Sequence, residues 1–185
     1  MPLNFEPIDI QRQTEYTTYF EKCPQNASDY SFANLWGWAR AYGLLWAWTD
    51  DLVWIKQTIP HDFYWAPVGP WEKIDWDVSF NHFLDRSGHT TIIRVPEQLI
   101  EYWGKVLKGK ITVKETRGAW DYLYAVPELI ELKGNRFHKK KNLLNQFKKY
   151  QIVNREQDLN DPGLRKAKLS YHPVDFIKKY QVTLV

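Results

Sequence analysis

The spacing of apolar residues predicts a helix in the first quarter of the chain. Four apolar residues stand at i, i+3, i+4 and i+7 on one helix face: Phe32, Leu35, Trp36 and Ala39. Ser28 or Asp29 is suited to cap the start of this helix, and Gly43 to end it in the left-handed conformation. An earlier helix is expected around residues 11–22, before Pro24.

Shorter apolar runs alternate with these helical patterns. Strands are predicted at 45–49, 52–58, 90–95, 111–116, 120–126 and 181–185. Pro96 opens a further amphipathic helix, residues 65–71 form a rigid loop with two prolines, and residues 161–163 form a turn. Helices and strands in alternation predict an α/β or mixed α+β fold.

Length and composition indicate a globular chain with a large aromatic core. The chain has 185 residues, of which 16% are aromatic, and large rings bury about 150–250 Å² each. We expect one domain over residues 1–150 and a polar C-terminal extension over 151–185. No signal peptide or spanning segment is apparent, so the sequence predicts a cytoplasmic protein. The single cysteine excludes an internal disulfide.

Charge is distributed unevenly along the chain. Residues 1–132 contain 12 Lys and Arg against 18 Asp and Glu, whereas residues 133–155 contain eight Lys and Arg and no acid. A helix is predicted from about residue 135 to 150. Its candidate residues for an anionic ligand are Arg136, His138, Lys139, Lys140, Lys141, Asn142 and Asn145. Phosphate binding and a solvated helix face are both compatible with this pattern.

Two further features have a functional and a structural interpretation. Leu143, Leu144 and Phe147 form a narrow apolar stripe on the basic helix, which would pack against a second copy of the chain or another partner. Trp65 and Trp71 flank the proline-containing loop and are candidates for the rim of a pocket. The other tryptophans are better explained by core packing.

Residue chemistry alone names no catalytic centre. The five histidines show no metal-ligand spacing, and the sequence has no HExxH, Gly-x-Ser-x-Gly, Walker or dinucleotide-binding motif. We therefore predict no metal site and name no catalytic residue.

Two segments together resemble a known bacterial family. The first is Asn26-Ala27-Ser28-Asp29-Tyr30-Ser31-Phe32-Ala33-Asn34-Leu35-Trp36-Gly37-Trp38. The second begins at Asp121-Tyr122-Leu123-Tyr124 and continues from Glu128 to Phe147, with Gly134, Phe137-His138-Lys139-Lys140, Asn142 and Asn145 as its most specific part. Over about residues 5–150 the chain resembles the family grouped with the C-terminal domain of phosphatidylglycerol lysyltransferases.

The resemblance implies a fold and a type of chemistry. It implies GNAT-like domains, with a mixed, mostly antiparallel sheet flanked by helices, of which this chain would hold the N-terminal half. It also implies kinship with enzymes that transfer an aminoacyl group from a charged tRNA. Acetyl-CoA is disfavoured as a cofactor, because the sequence lacks the Arg/Gln-x-x-Gly-x-Gly/Ala loop that cradles its pyrophosphate.

Three functions follow from this interpretation. The first is an aminoacyl or acyl transferase that uses aminoacyl-tRNA. The second is a non-catalytic module whose basic helix binds nucleic acid or an anionic membrane surface. The third is a protein-interaction subunit that associates through the apolar stripe.

Overall fold

The computed structural model describes residues 3–83, 90–127 and 150–184. They group into two compact units, Met1–Thr116 with Lys179–Val185, and Arg117–Lys178. We call these the large unit and the small unit. The predicted basic helix and its apolar stripe lie outside the described residues.

The large unit contains four α-helices and seven strands in its described ranges. The helices are α1 (Gln13–Phe20), α2 (Phe32–Tyr42), α3 (Trp76–Phe83) and α4 (Glu97–Val106). Its strands are β1 (Glu6–Pro7), β2 (Leu45–Trp48), β3 (Val53–Gln57), β4 (Phe63–Val68), β5 (Thr91–Pro96) and β6 (Ile111–Glu115), with β10 (Lys179–Leu184) at the end of the chain. Helices α2 and α4 and the hairpin β2–β3 therefore form where the sequence predicts them.

The seven strands form one sheet in the order β1-β2-β3-β4-β5-β10-β6. Every neighbouring pair is antiparallel except β4 and β5, which are parallel. The predicted mixed α+β class with a mostly antiparallel sheet is confirmed.

Local signals explain the ends of α2. The Ser31 hydroxyl accepts a hydrogen bond from the Asn34 N–H and caps the helix, and Gly43 follows it with a φ of 57°. A Cβ on Gly43 would lie 2.1 Å from the Thr58 hydroxyl, so glycine is required there. The cap therefore comes later than the predicted Ser28 or Asp29, which lie in a preceding 3-10 turn.

Tryptophan and tyrosine rings fill the core of the large unit, as the composition predicts. The buried tryptophans are Trp46, Trp54, Trp65, Trp71, Trp76 and Trp103. Trp46 packs on Tyr16 with ring centroids 5.8 Å apart, and Trp103 packs on Phe80 at 5.0 Å. Trp36, which the helical pattern places on the buried face, is 44% exposed.

The small unit is built on a three-stranded antiparallel sheet. Its strands are β7 (Asp121–Ala125), β8 (Ile152–Asn154) and β9 (Asp175–Ile177), in the order β8-β7-β9. The helix α5 (Pro162–Leu169) begins after Asp161, whose carboxylate accepts from the Leu164 N–H. The prediction of a turn at residues 161–163 is therefore wrong, because these residues start a helix with proline in its first turn.

Two features of the chain depart from what its local signals predict. Residues 63–68 form a strand although a rigid loop is predicted from residue 65, because a register shift in the β3–β4 ladder accommodates Pro67, which has no N–H to donate. The end of the chain also lies apart from the residues that precede it, because Lys179–Leu184 form β10 in the large sheet while Arg117–Lys178 group as the small unit. Because β10 pairs with both β5 and β6, it is an interior strand of that sheet.

Candidate ligand site at the parallel strand pair

The parallel pair β4–β5 is the point where the large sheet is interrupted. Its ladder pairs Tyr64 with Ile92 and Trp65 with Ile93, and then ends. Both strands are irregular just beyond this point: the β3–β4 register shifts before Val68, and the β5–β10 register shifts around Arg94. Bulges of this kind re-aim side chains and occur often beside functional sites.

A tyrosine hydroxyl bridges the two strands where their ladder ends. The Tyr30 hydroxyl accepts a hydrogen bond from the Ala66 N–H at 3.0 Å and donates one to the Arg94 carbonyl at 3.1 Å. Tyr30 is 2% exposed, and burial raises its pKa well above the usual value. The side chain is therefore a neutral phenol. Its hydroxyl replaces the direct main-chain hydrogen bond that β4 and β5 would otherwise form between Ala66 and Arg94.

The residue before this tyrosine anchors a buried charge cluster. The Asp29 carboxylate accepts from Lys179 through one oxygen and from Arg94 through the other. The Lys179 side chain is fully buried and that of Asp29 is 3% exposed. Burial alone would raise the pKa of Asp29, but the charges of Lys179 and Arg94 outweigh it and lower that pKa. The carboxylate therefore pairs with two cations at once.

Arg94 is the member of this cluster that reaches towards the surface. Its side chain is 21% exposed, and its guanidinium carbon lies 4.3 Å from the centre of the Trp65 ring and 5.8 Å from that of Tyr42. In the described ranges, only Nη1 of its guanidinium nitrogens hydrogen-bonds to protein. Nε and Nη2 can therefore donate to a carboxylate or phosphate ligand.

The backbone of Arg94 is itself unusual. Its φ is 59°, in the left-handed region that non-glycine residues seldom adopt. Such conformations cost about 1–3 kcal/mol and persist when the surrounding structure fixes them. Here the bridge from Tyr30 and the ion pair with Asp29 hold the residue at both its main chain and its side chain.

Sequence reasoning misses this cluster almost entirely. Asp29 and Tyr30 belong to the first segment that carries the family resemblance, but the helical pattern indicates only a capping role for Asp29. Arg94 lies in a correctly predicted strand, and Lys179 lies 150 residues after Asp29. The one signal in the sequence is an acidic residue beside a tyrosine in a distinctive segment, since no periodicity connects Asp29 to Lys179.

The two tryptophans predicted at a pocket rim lie in the interior. Trp65 and Trp71 are each 2% exposed. The Trp65 indole N–H donates to Gln57 at 3.1 Å, and that of Trp71 donates to the Pro67 carbonyl at 2.8 Å. Trp65 contributes to the site as the ring beneath Arg94, whereas Trp71 packs in the core after β4.

The other predicted site residues lie outside the described residues. These are Arg136, His138, Lys139, Lys140, Lys141, Asn142 and Asn145, together with Leu143, Leu144 and Phe147 of the stripe. Their roles stay predictions. In the parts of the chain that the structure describes, no three or more His, Cys, Asp or Glu side chains are grouped to hold a metal ion.

A separate cleft of the large unit has the opposite electrostatic character. It has a volume of about 630 Å³, and the charged residues that line it in the described ranges are Asp50, Asp51, Asp75 and Lys73. Asp75 accepts from the Val78 N–H at the start of α3. The three carboxylates outnumber the ammonium among these described residues, so an anionic ligand is better suited to Arg94 than to this lining.

The small unit has a buried aspartate of its own. Asp158 accepts from Arg165 through both oxygens, at 2.8 and 3.0 Å, and from the Tyr122 hydroxyl at 2.6 Å. Arg117 lies 3.3 Å from the same carboxylate. Burial alone would raise the pKa of Asp158, but hydrogen bonds from Arg165 and Tyr122 outweigh it and lower that pKa.

Comparisons with known proteins place the chain in a family and a fold. A family described as "Phosphatidylglycerol lysyltransferase, C-terminal" matches residues 20–153. The chain also resembles the crystal structure of a conserved protein of unknown function from Bacteroides thetaiotaomicron VPI-5482. The TM-score is 0.75 and the identity 19%, over 99% of this chain and 100% of that chain; at this identity the likeness shows the fold alone.

A comparison with curated proteins finds no match. No helix in the described ranges is long and apolar enough to cross a membrane.

Proposed function

Because the chain belongs to the phosphatidylglycerol lysyltransferase C-terminal family, we propose that it is a cytoplasmic aminoacyl or acyl transferase that takes its donor from aminoacyl-tRNA. The matched range contains both segments that carry the resemblance. The mostly antiparallel sheet with one parallel pair supports the GNAT-like fold that the resemblance implies.

One observation carries the proposal: the short parallel pair β4–β5, with the partly exposed Arg94 where its ladder ends. Ligands of open sheets bind outside the carboxyl ends of parallel strands. The carboxyl halves of β4 and β5 hold Ala66 and Arg94, the two residues that Tyr30 bridges. Arg94 also brings a guanidinium to the same place, and this group suits the anionic part of a donor molecule.

The chemistry needs positioning more than it needs a dedicated nucleophile. An amine or hydroxyl of the acceptor attacks the carbonyl carbon of the aminoacyl ester, a new bond to that carbon forms, and the ester C–O bond breaks. The acceptor's proton ends on the leaving hydroxyl. Positioned hydrogen-bond donors stabilise the negative charge that develops on the carbonyl oxygen. In this proposal the lysines of residues 139–141 hold tRNA phosphates.

The Tyr30 bridge favours a second candidate function. Its hydroxyl already occupies the Ala66 N–H and the Arg94 carbonyl, the groups that an extended ligand would use to join the strands. Because Tyr30 closes the gap between β4 and β5 where their ladder ends, no extended ligand can join the two strands there. This arrangement suits a module that binds tRNA without catalysing transfer. Binding with no transfer would identify this function.

Titration of the purified protein with bulk tRNA at two salt concentrations tests the proposal. The test variant is Lys139→Ala with Lys140→Ala and Lys141→Ala. The control is Lys105→Ala with Lys108→Ala and Lys110→Ala, because these three lysines are exposed, lie in the large unit and change the net charge equally. We expect the test variant to lose affinity and to lower the salt slope by about 2–3, since each phosphate that a lysine neutralises contributes roughly 0.7–0.9 to that slope.

A transfer assay with radiolabelled aminoacyl-tRNA then separates the two functions. Label that moves from tRNA to an amine or lipid acceptor in the presence of the protein supports the transferase. Salt-sensitive, lysine-dependent binding without transfer supports the binding module. Equal behaviour of the test and control variants would exclude tRNA as the ligand of the lysines.

A further inference from the structure

Helix α2 exposes two tryptophans that lie on different sides of it. Trp36 is 44% and Trp38 is 52% exposed. Positions two apart on a helix are about 200° apart around its axis, at 3.6 residues per turn. Tryptophan side chains are highly buried on average, so the surroundings of each exposed ring need to be considered separately.

The two rings have different neighbours. Trp36 is stacked on Phe32 of the same helix, with planes 10° apart and centroids at 6.4 Å. Trp38 instead lies against Tyr42, with centroids 5.6 Å apart. The ring centre of Tyr42 in turn lies 5.8 Å from the Arg94 guanidinium. It is therefore the Trp38 side of the helix that leads to the charge cluster.

Trp38, Tyr42 and Arg94 form a continuous surface of two rings and one cation. The outer ring is half exposed, Tyr42 is partly buried, and Arg94 presents two donors that no described residue accepts. A nucleotide has a π-face and a phosphate, the two chemical features that a ring and a guanidinium recognise. An apolar protein segment would use the rings but would offer no acceptor to the remaining donors of Arg94.

We propose that Trp38, Tyr42 and Arg94 form a platform for one unpaired nucleotide, with the base stacked on Trp38 and the phosphate held by Arg94. The identity of that nucleotide rests on the proposed function: in an aminoacyl-tRNA the amino acid is esterified to the unpaired 3′ end. The platform adjoins the split between β4 and β5, so an end nucleotide bound there brings its ester to the interrupted ladder.

The test uses the whole chain and a fluorescein-labelled 5′-CCA-3′ ribotrinucleotide, followed by fluorescence anisotropy. Stacking of one base contributes about 1–3 kcal/mol, which is roughly a 5- to 150-fold change in affinity. We expect Trp38→Ala to weaken binding within this range and Trp38→Phe to retain most of it. Trp36→Ala is the matched control, since it changes the same residue type on the same helix at a similar exposure, and it should bind like the wild type.

A second variant and a second ligand keep the outcome decisive. Arg94→Lys retains the charge but loses the planar fork, and should weaken trinucleotide binding several-fold while its circular dichroism stays native. Inorganic phosphate should compete only at high concentration, since it lacks the base. Equal loss in Trp36→Ala and Trp38→Ala, no binding by the wild type, or competition by an apolar peptide alone would overturn the proposal.

These outcomes are separable from failure of the proposed function. Lysine-dependent binding of whole tRNA without any effect of Trp38→Ala on the trinucleotide would refute the platform and leave the transferase standing. Trp38-dependent binding of the trinucleotide, with no transfer and no effect of the triple lysine variant, would support the platform and refute the transferase.

Discussion

Each unit of this protein buries one aspartate between two cations, but the two clusters differ in what they leave available. In the large unit Asp29 binds a fully buried Lys179 and a partly exposed Arg94, whose outer guanidinium nitrogens stay unused within the described residues. In the small unit Asp158 binds Arg117 and Arg165, whose side chains are 30% and 34% exposed.

The two aspartates also differ in how completely they are surrounded. Asp158 accepts from Arg165 twice, from Tyr122 and from the Asn160 N–H, and its partners lie within 41 residues of it in the chain. Asp29 joins segments 65 and 150 residues away. Within the described residues, Arg117 and Arg165 of the small unit each donate through two nitrogens, whereas Arg94 of the large unit donates through one. The donors that Arg94 leaves over, and not burial of the ion pair alone, make the large-unit cluster the better candidate for a ligand site.

The largest expected effect is the loss of unfolding free energy in Asp29→Asn, because the large-unit cluster contains a fully buried cation and the small-unit cluster does not. Asp29→Asn removes the charge that the fully buried Lys179 faces, and breaking a buried pair in this way costs about 3–5 kcal/mol. The free energy of unfolding in urea measures the loss. Asp29→Asn combined with Lys179→Met should recover much of it, because the buried ammonium is gone. A loss below about 1 kcal/mol for the single variant would show that the pair is well hydrated.

The corresponding change in the small unit should cost less. Asp158→Asn loses charge-assisted hydrogen bonds, about 2 kcal/mol, but its two arginines stay partly hydrated. The lowered pKa of Asp158 gives this contribution a pH dependence. The carboxylate stabilises the fold above the pKa of an unfolded aspartate, about 3.9, and the stabilisation is lost as the pH falls below that value.

Urea denaturation at pH 7 and pH 3 checks this dependence. The difference between wild type and Asp158→Asn should be largest at pH 7 and smaller at pH 3. Both proteins should lose some stability in acid, because both retain Asp29, whose pKa is lowered as well. A difference that grows at pH 3 would have the wrong sign for a carboxylate favoured by the folded state.

Sequence patterns predict much of this fold because they record neighbours along the chain. The α2 helix, its Gly43 end and the strands β2, β3, β5 and β10 follow from local spacing and turn residues. The Asp161-Pro162 start of α5 also has its signal in the sequence, an acidic cap before a proline, but the glycine that follows favours a turn equally well.

Long-range pairing is what the patterns cannot supply. Nothing in the composition of β10 places it between β5 and β6, and nothing local connects Asp29 with Lys179. Pro67 indicates a loop, since proline has no N–H to donate, but the β3–β4 register shift lets the strand continue through it. The candidate site therefore emerges only from the structure, while the predicted basic residues remain a separate prediction.

The smallest expected effects compare two tyrosine hydroxyls. Tyr30→Phe leaves the Ala66 N–H and the Arg94 carbonyl without their bridge, and an unsatisfied buried group costs about 1–3 kcal/mol. Tyr122→Phe removes one donor from Asp158, which keeps Arg165 and the Asn160 N–H, so we expect about 1 kcal/mol or less. Hydrogen exchange of the two units, followed by mass spectrometry, measures each loss in its own sheet.

The exchange rates at the two sheets decide what each tyrosine does. Faster exchange at Ala66 in Tyr30→Phe, without comparable change in β7 for Tyr122→Phe, would show that the tyrosine in the large unit closes a break in a ladder. The tyrosine in the small unit would then only complete a cluster that is already satisfied. Equal exchange in both variants would mean that β4 and β5 hold together without Tyr30, and the split between them would then be a poorer candidate for ligand entry.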